Sequence, residues 1–257
     1  MVAHPASEAA REAYRGPANL AGKIAVVTGG TQGLGETIAP LFAKRGAAGL
    51  VICGRNADNG ARVAKEISAA GCPTVFVKAN LAKVADCRNV IAQEDSRFGR
   101  VDVLLNAAAL TDRGDIFNTT EERYNEIFEV NARAPFFLIQ ETARIMRQEK
   151  IAGAIVNIQS MSAHGGQAFI AAYCASKGAL ATLTRNVAHS LVKFRIRVNG
   201  LNIGWMSTPG EDRIMKTYHG AQDGWLELQR RRSLSDGSLT RRRSLAPVPI
   251  SLRTNPG

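Results

Sequence analysis

Apolar positions along this chain follow two alternating rhythms. Short apolar runs occupy residues 24–27, 49–53, 74–77, 101–105, 154–158 and 198–203. Between them apolar residues recur at helical spacing over 61–70, 84–98, 121–129, 135–148 and 171–192. A short continuous apolar run reads as a strand buried on both faces, as in a parallel sheet covered by helices. Strands alternating with helices predict βαβ units joined by right-handed crossovers. The expected fold is therefore α/β, a Rossmann-like doubly wound parallel sheet of about six strands with helices on both faces. Its ligand crevice should open at the carboxyl ends of the strands, where strand order reverses beside the first strand. One local misfit is Pro40, inside the helix expected to begin at Gly33. It removes a backbone hydrogen bond and predicts a kink or strain costing roughly 3 kcal/mol if unrelieved.

The ends break this rhythm. Residues 1–20 form an Ala/Glu/Arg-rich leader without an apolar stretch, so no secretory signal is expected. Residues 21–229 are expected to form one dinucleotide-binding and catalytic domain. In residues 230–257, Arg230-Arg231-Arg232-Ser233-Leu234 recurs as Arg241-Arg242-Arg243-Ser244-Leu245, and Pro247, Pro249 and Pro256 follow. That composition predicts a disordered tail, resembling a shifted reading frame. The tail also explains the charge: its seven Arg and one Asp supply +6 of the formal +11. It lacks interleaved aromatics, so it reads as a solvated charge run rather than a nucleic-acid site. No apolar stretch approaches the roughly 20 residues of a membrane span. The expected setting is the cytoplasm, with neither membrane nor nucleic-acid partners. Cys53, Cys72, Cys87 and Cys174 show no metal-like spacing and read as reduced thiols with no metal site.

Two stretches carry candidate chemistry. After the first apolar run comes Thr28-Gly29-Gly30-Thr31-Gln32-Gly33-Leu34-Gly35, a glycine turn that opens a helix. Glycines let the backbone approach a pyrophosphate, and the helix N-terminus offers unpaired N–H groups and a positive dipole end. By itself this is equally a plain strand-turn-helix. Far downstream, Tyr173 and Lys177 lie four residues apart in Tyr173-Cys174-Ala175-Ser176-Lys177, with Ser160 thirteen residues before the Tyr. Residues four apart share a helix face, so the ammonium can lie near the phenol and favour its phenolate. A Tyr so poised can pass a proton to or from a substrate oxygen. Each residue alone also has a plain structural role: a buried Tyr, a surface Lys, a strand-end Ser.

Together these motifs resemble the classical short-chain dehydrogenase/reductase family, from about residue 20 to residue 208. The cofactor turn TGxxxGxG matches Thr28 to Gly35 at each fixed position. The family's Asn-Asn-Ala-Gly appears as Asn106-Ala107-Ala108-Ala109, a partial match, and its helix Asn corresponds to Asn131. Its Pro-Gly-x-x-x-Thr loop reads Ile203-Gly204-Trp205-Met206-Ser207-Thr208, with the Pro lost. The resemblance implies an NAD(P)-dependent oxidoreductase interconverting an alcohol and a carbonyl by hydride transfer. It implies a catalytic set of Asn131, Ser160, Tyr173 and Lys177, with Tyr173 as general acid/base, Ser160 donating to the substrate oxygen and Asn131 anchoring a water. It further implies cofactor contacts from Gly29, Thr31, Gln32, Gly33, Leu34, Gly35, Asn80, Leu81, Asn106, Ala107, Met206 and Thr208, besides Tyr173 and Lys177.

Cofactor preference should follow from Gly54-Arg55-Asn56 after the second strand. No acid stands there to repel a 2′-phosphate, and Arg55 supplies charge, with Asn56 beside it, so NADP(H) is favoured and NAD(H) remains possible. Ser162, His164, Gln167 and Trp205 fall in segments that line the family's substrate cleft, and their polarity suits a sugar or polyol. The resemblance implies a homodimer through helices 135–148 and 171–192. The family's seventh strand has no counterpart after Gln229, which predicts an exposed sheet edge, marginal stability and a protease-sensitive region after about Trp225. The alternative is a catalytically weak nucleotide-binding protein with the same fold.

Overall fold

The computed structural model describes residues 20–165, 167–204 and 208–225. Expectations placed on the leader, on Trp205 and Met206, and on the tail lie outside the described residues.

Among the described residues, six strands form one parallel sheet: β1 (Ile24–Thr28), β2 (Gly49–Gly54), β3 (Thr74–Lys78), β4 (Val103–Asn106), β5 (Ala154–Ser160) and β6 (Arg197–Ile203). Their order is β3-β2-β1-β4-β5-β6, so the chain reverses direction across the sheet between β1 and β4. The helices are α1 (Gly33–Lys44), α2 (Ala57–Ala69), α3 (Val84–Phe98), α4 (Glu121–Phe128), α5 (Ala134–Gln148), α6 (Ala171–Leu191) and α7 (Pro209–His219). Side chains alternate across a strand, so each buried strand feeds two cores. Val26, Val51, Leu104 and Ile155 pack with Val90 and Ile91 of α3 and Leu138 and Ile139 of α5. Ala25, Val27, Leu50, Ile52 and Leu105 face the other way, onto Ala39 of α1 and Val63 and Ile67 of α2.

At the opposite end of the sheet from the cleft, buried Asp102 fixes β4 against β1. It accepts from Ile24 N–H at 3.0 Å, Lys23 Nζ at 3.0 Å and Arg100 Nη2 at 2.7 Å. Burial alone would raise its pKa, but these donors and the Arg100 charge hold it below the ordinary value.

Three local features add to the sequence expectations. α1 continues through Pro40 to Lys44, so the kink or strain expected there does not end the helix. Ala39 is buried, and Ile38, Phe42 and Ala43 pack on the same core, so tertiary contacts hold the turn that lost a hydrogen bond. The helical pattern that begins at Glu121 passes into a π-turn over Glu129–Arg133 before α5 starts. α7 was not anticipated. Its N-cap Thr208 accepts from Glu211 N–H at 3.2 Å, with a proline in the first turn.

Candidate active site

The cleft opens at the carboxyl ends of the strands and encloses about 1410 Å³. Its first wall is the glycine turn. Gly29 and Gly33 have φ of +67° and +58°, which L side chains rarely adopt. A Cβ on Gly35 would stand 2.3 Å from Gly29 O, so Gly35 lets α1 start directly against the turn. Gly35 is buried and does not line the cleft itself. Gln32 caps α1 without a side-chain bond to the first-turn N–H groups. A helix N-terminus beside a cavity with no side chain plugging it fits a pyrophosphate.

Thr31, Gln32, Leu34, Arg55, Asn56, Asn80, Leu81 and Ala107 also reach the cleft wall. Several have structural work as well. Asn56 caps α2, accepting from Asn59 N–H at 2.9 Å. Asn80 accepts from Ala82 N–H at 3.2 Å, and its own N–H donates to Asp86 at 2.7 Å. Thr28 Oγ1 accepts from the N–H groups of Ala107 and Ala108, both at 3.1 Å, and so ties the turn after β4 to β1. A Cβ on Gly54 would meet Thr31 Oγ1 at 2.3 Å, so the end of β2 has no room for an acidic side chain unless Thr31 moves. Arg55 follows it and is exposed. Asn106 is not on the cleft wall: buried, it donates from Nδ2 to Asn157 Oδ1 at 2.9 Å across the sheet.

Ser160, Tyr173 and Lys177 meet on the cleft floor. Ser160 ends β5, and its Oγ accepts from Ser162 N–H at 3.1 Å, which leaves its own proton free to be donated. Burial raises the Tyr173 pKa, the Ser160 hydroxyl draws it back down, and the Cys174 and Glu211 charges push it up. Lys177 is 2% exposed, and its Nζ donates to Ile158 O at 2.9 Å. The ammonium lies 5.8 Å from the centre of the Tyr173 ring. Burial lowers the Lys177 pKa from 10.5 to about 8. The spacing correctly brings the pair together, but the phenol's pKa rises rather than falls, because its desolvation outweighs the stabilisation its neighbours give the phenolate.

Asn131 is fully buried in the π-turn and does not reach the cleft wall. Its Nδ2 donates to Leu110 O at 2.8 Å and Ser176 Oγ at 3.0 Å, and its Oδ1 accepts from Leu110 N–H at 2.8 Å. Both amide protons are thereby committed to holding the loop after β4 against α6. Ser162, His164 and Gln167 also line the cleft, where Ser162 Oγ donates to Gln167 Oε1 at 2.6 Å. Thr208 lines the cleft where α7 begins. Arg113, Phe169, Glu211 and Met215 line it too and were not singled out in the sequence. The only available sequence signal was the Thr208-x-x-Glu211 cap, which marks a helix start and places Glu211 in its first turn.

The profile of the short chain dehydrogenase family matches residues 23–219. Galactitol 2-dehydrogenase of Agrobacterium fabrum is 33% identical over 186 residues, covering 72% of this chain and 71% of its own. Sorbitol dehydrogenase of Cereibacter sphaeroides is 29% identical over 238 residues, 91% of each chain. A crystal structure from Beutenbergia cavernae, assigned as an NAD(P)-dependent gluconate 5-dehydrogenase with bound NADP at low occupancy, superposes with a TM-score of 0.73. It is 34% identical, over 79% of this chain and 80% of that one. A profile match running from β1 through α7, with relatives this similar over most of both chains, makes this chain a member of the short-chain dehydrogenase/reductase family, NAD(P)(H)-dependent oxidoreductases of alcohols and carbonyls.

Proposed function

We propose that this chain is an NADP(H)-preferring dehydrogenase that interconverts a hydroxylated small-molecule alcohol and its carbonyl, with Tyr173 as general acid/base. The observation that carries the reading is the Ser160–Tyr173–Lys177 cluster on the floor of the cleft that the glycine turn also walls. Gly29, Gly33 and the N-terminal turn of α1 would hold the pyrophosphate, with Arg55 beside the ribose. When bound, the nicotinamide ring supplies or accepts the hydride. In the reducing direction the Tyr173 phenol donates its proton to the carbonyl oxygen as charge develops there. Ser160 donates to the same oxygen and fixes its position. Lys177 Nζ, held near neutrality by burial, is the next proton source behind the phenol. Asn131 acts by positioning, holding Leu110 at the cleft wall and Ser176 one residue before Lys177.

NADP(H) preference rests on Arg55 and on the lack of room for an acid at Gly54. The substrate class is supported by the relatives named for galactitol and sorbitol and by the polar side chains Ser162, Gln167 and Glu211 on the substrate side. The homodimer expected through α5 and α6 belongs to the same reading.

Two measurements test it. NADPH should bind more tightly than NADH, and Arg55→Asp should reverse the order; equal dissociation constants in the parent protein would remove the preference. Tyr173→Phe should keep NADPH binding and lose about 10²–10⁴ in turnover of a polyol or its ketose, the usual contribution of a general acid. A Phe variant within tenfold of the parent would show that Tyr173 is not the acid.

A further inference from the structure

Arg133 closes the π-turn and does not line the cleft, yet it is bonded to residues that do. Its Nη2 donates to Ala82 O and pairs with Glu129 Oε1 at 2.9 Å. Ala82 ends the stretch 79–82, which walls the cleft after β3. Ala79 N–H donates to Gly54 O at 3.0 Å, so this wall is fixed to the end of β2 beside Arg55. From α3, Asp86 holds Asn80 N–H and Cys87 Sγ donates to Leu81 O at 3.3 Å. The bond to Ala82 O comes from the π-turn.

That turn is held from two sides. Ala134 N–H donates to Glu129 O, five residues back, a register that helices rarely adopt. The Arg133–Glu129 pair spans the same five residues on the outside of the turn. On the inside, Asn131 bonds Leu110 of the cleft wall and Ser176, the residue before Lys177. Glu129 lines the cleft, and the guanidinium beside it offsets its charge in a site that suits a phosphate-bearing cofactor.

We propose that Arg133 is a positioning residue for both halves of the cleft, locking the 79–82 wall to the turn from which Asn131 sets Leu110 and Ser176. The inference rests on the dehydrogenase reading, which puts the cofactor's adenosine half beside Arg55 and the reacting centre beside Lys177. It adds a residue that touches neither ligand. The Arg133 side chain is 44% exposed, and an ion pair so exposed adds little to stability. Its contribution is therefore to the register of the two walls. Without it the turn is held only from inside, and the walls can shift against each other. Misplacement by about 1 Å at a reacting centre costs as much as 10² in rate. A shared tie makes the two losses appear together.

Arg133→Met keeps an unbranched helix-forming side chain and removes the donors. The full-length variant should melt close to the parent. Calorimetric titration should show adenosine 2′,5′-bisphosphate, a probe of the adenosine half, binding roughly fivefold more weakly or worse, and KM for sorbitol at saturating NADP should rise by a similar factor. Arg133→Lys, which keeps the charge and a donor, should recover most of both losses. Adding Glu129→Gln to Arg133→Met removes the acid that the substitution bares, and both losses should persist. Weakening of one half alone, or of neither, overturns the inference. So does full recovery in the double variant, which would make Arg133 a counter-charge only. Hydrogen exchange of the NADPH-bound proteins supplies a readout that needs no turnover. Amides of 79–83 and of 108–112 should both exchange faster in Arg133→Met; unchanged exchange over 108–112 overturns the inference. A parent that binds NADPH and oxidises no polyol, with both segments loosened in the variant, overturns the substrate class and leaves the positioning role standing. A parent that does not bind NADPH overturns both.

Discussion

Lys177 donates from the cleft floor to Ile158 O, and burial holds its pKa near 8 against the ordinary 10.5. Between those values the unfolded chain binds the proton that the folded chain has released. Stability contributed by this site therefore rises with pH across that window, and below pH 8 the full cost of burying the ammonium is borne. Lys177→Met should be more stable than the parent at pH 7 by at most about 3 kcal/mol, reduced by about 1 kcal/mol for the lost bond to Ile158. That gain should vanish by about pH 10.5, and the variant should have lost turnover. Denaturant midpoints at pH 7 and pH 10 check this; a Met variant less stable than the parent at both would show that the ammonium stabilises the fold. The sequence made Tyr173 and Lys177 neighbours through a fixed helical spacing. It could not give the sign of the Tyr173 shift, because depth below the surface is a property of the packed cleft. Arg113 and Glu211 were invisible for a related reason. One lies in a loop and the other in a later helix, and no spacing links them.

The elements themselves were largely legible. Strand positions followed from short, mostly apolar runs, because both faces of β1, β2, β4 and β5 are largely buried, and α3 spans the residues its pattern marked. α7 was missed since most of its residues are polar or charged, although Thr208 and Glu211 carry a cap signature. The π-turn over Glu129–Arg133 had no signal at all. Its register depends on Asn131 turning inward to bond Leu110 and Ser176, which are remote in sequence. That turn joins α4, α5, α6 and the loop after β4 at one amide, as π-turns at functional sites often do. Asn131→Ala would leave Leu110 N–H and O and the Ser176 hydroxyl short of a partner, at a cost of about 2–4 kcal/mol. Because the loop also carries Arg113, KM for a polyol should rise while the dissociation constant for NADPH changes little. Asn131→Asp keeps the acceptor for Leu110 N–H but sets a carboxylate oxygen against Leu110 O and buries a charge, so it should not restore the lost stability. Unchanged KM with unchanged melting would remove the positioning role.

Across the whole molecule, buried titratable groups set how stability responds to pH. Asp102, held below its ordinary pKa by Arg100, Lys23 and Ile24 N–H, contributes stability at neutral pH that is lost in acid. Burial raises Cys53 from 9.0 to about 12 and Cys87 to about 11, so stability falls as pH rises beyond 9. Between these limits the governing group is Glu94 of α3. Its side chain is fully buried, neither carboxylate oxygen has a hydrogen-bond partner among the described residues, and burial raises its pKa from 4.5 to about 8. The folded chain then holds a proton that the unfolded chain has lost, so stability falls as pH rises from 4.5 to 8 and levels off above. Most acids in folded proteins have the opposite sign. Nothing in the proposed chemistry requires this carboxyl, and a thioether of similar length would fill the space without desolvating a charge. Glu94→Met should therefore stabilise the protein, and its advantage should grow by about 4 kcal/mol between pH 5 and pH 8.5. Thermal melting of the parent and the Met variant at those two pH values is decisive. An advantage that stays constant, or that shrinks with pH, would mean that Glu94 finds a charged partner or water that stabilises its ionised form.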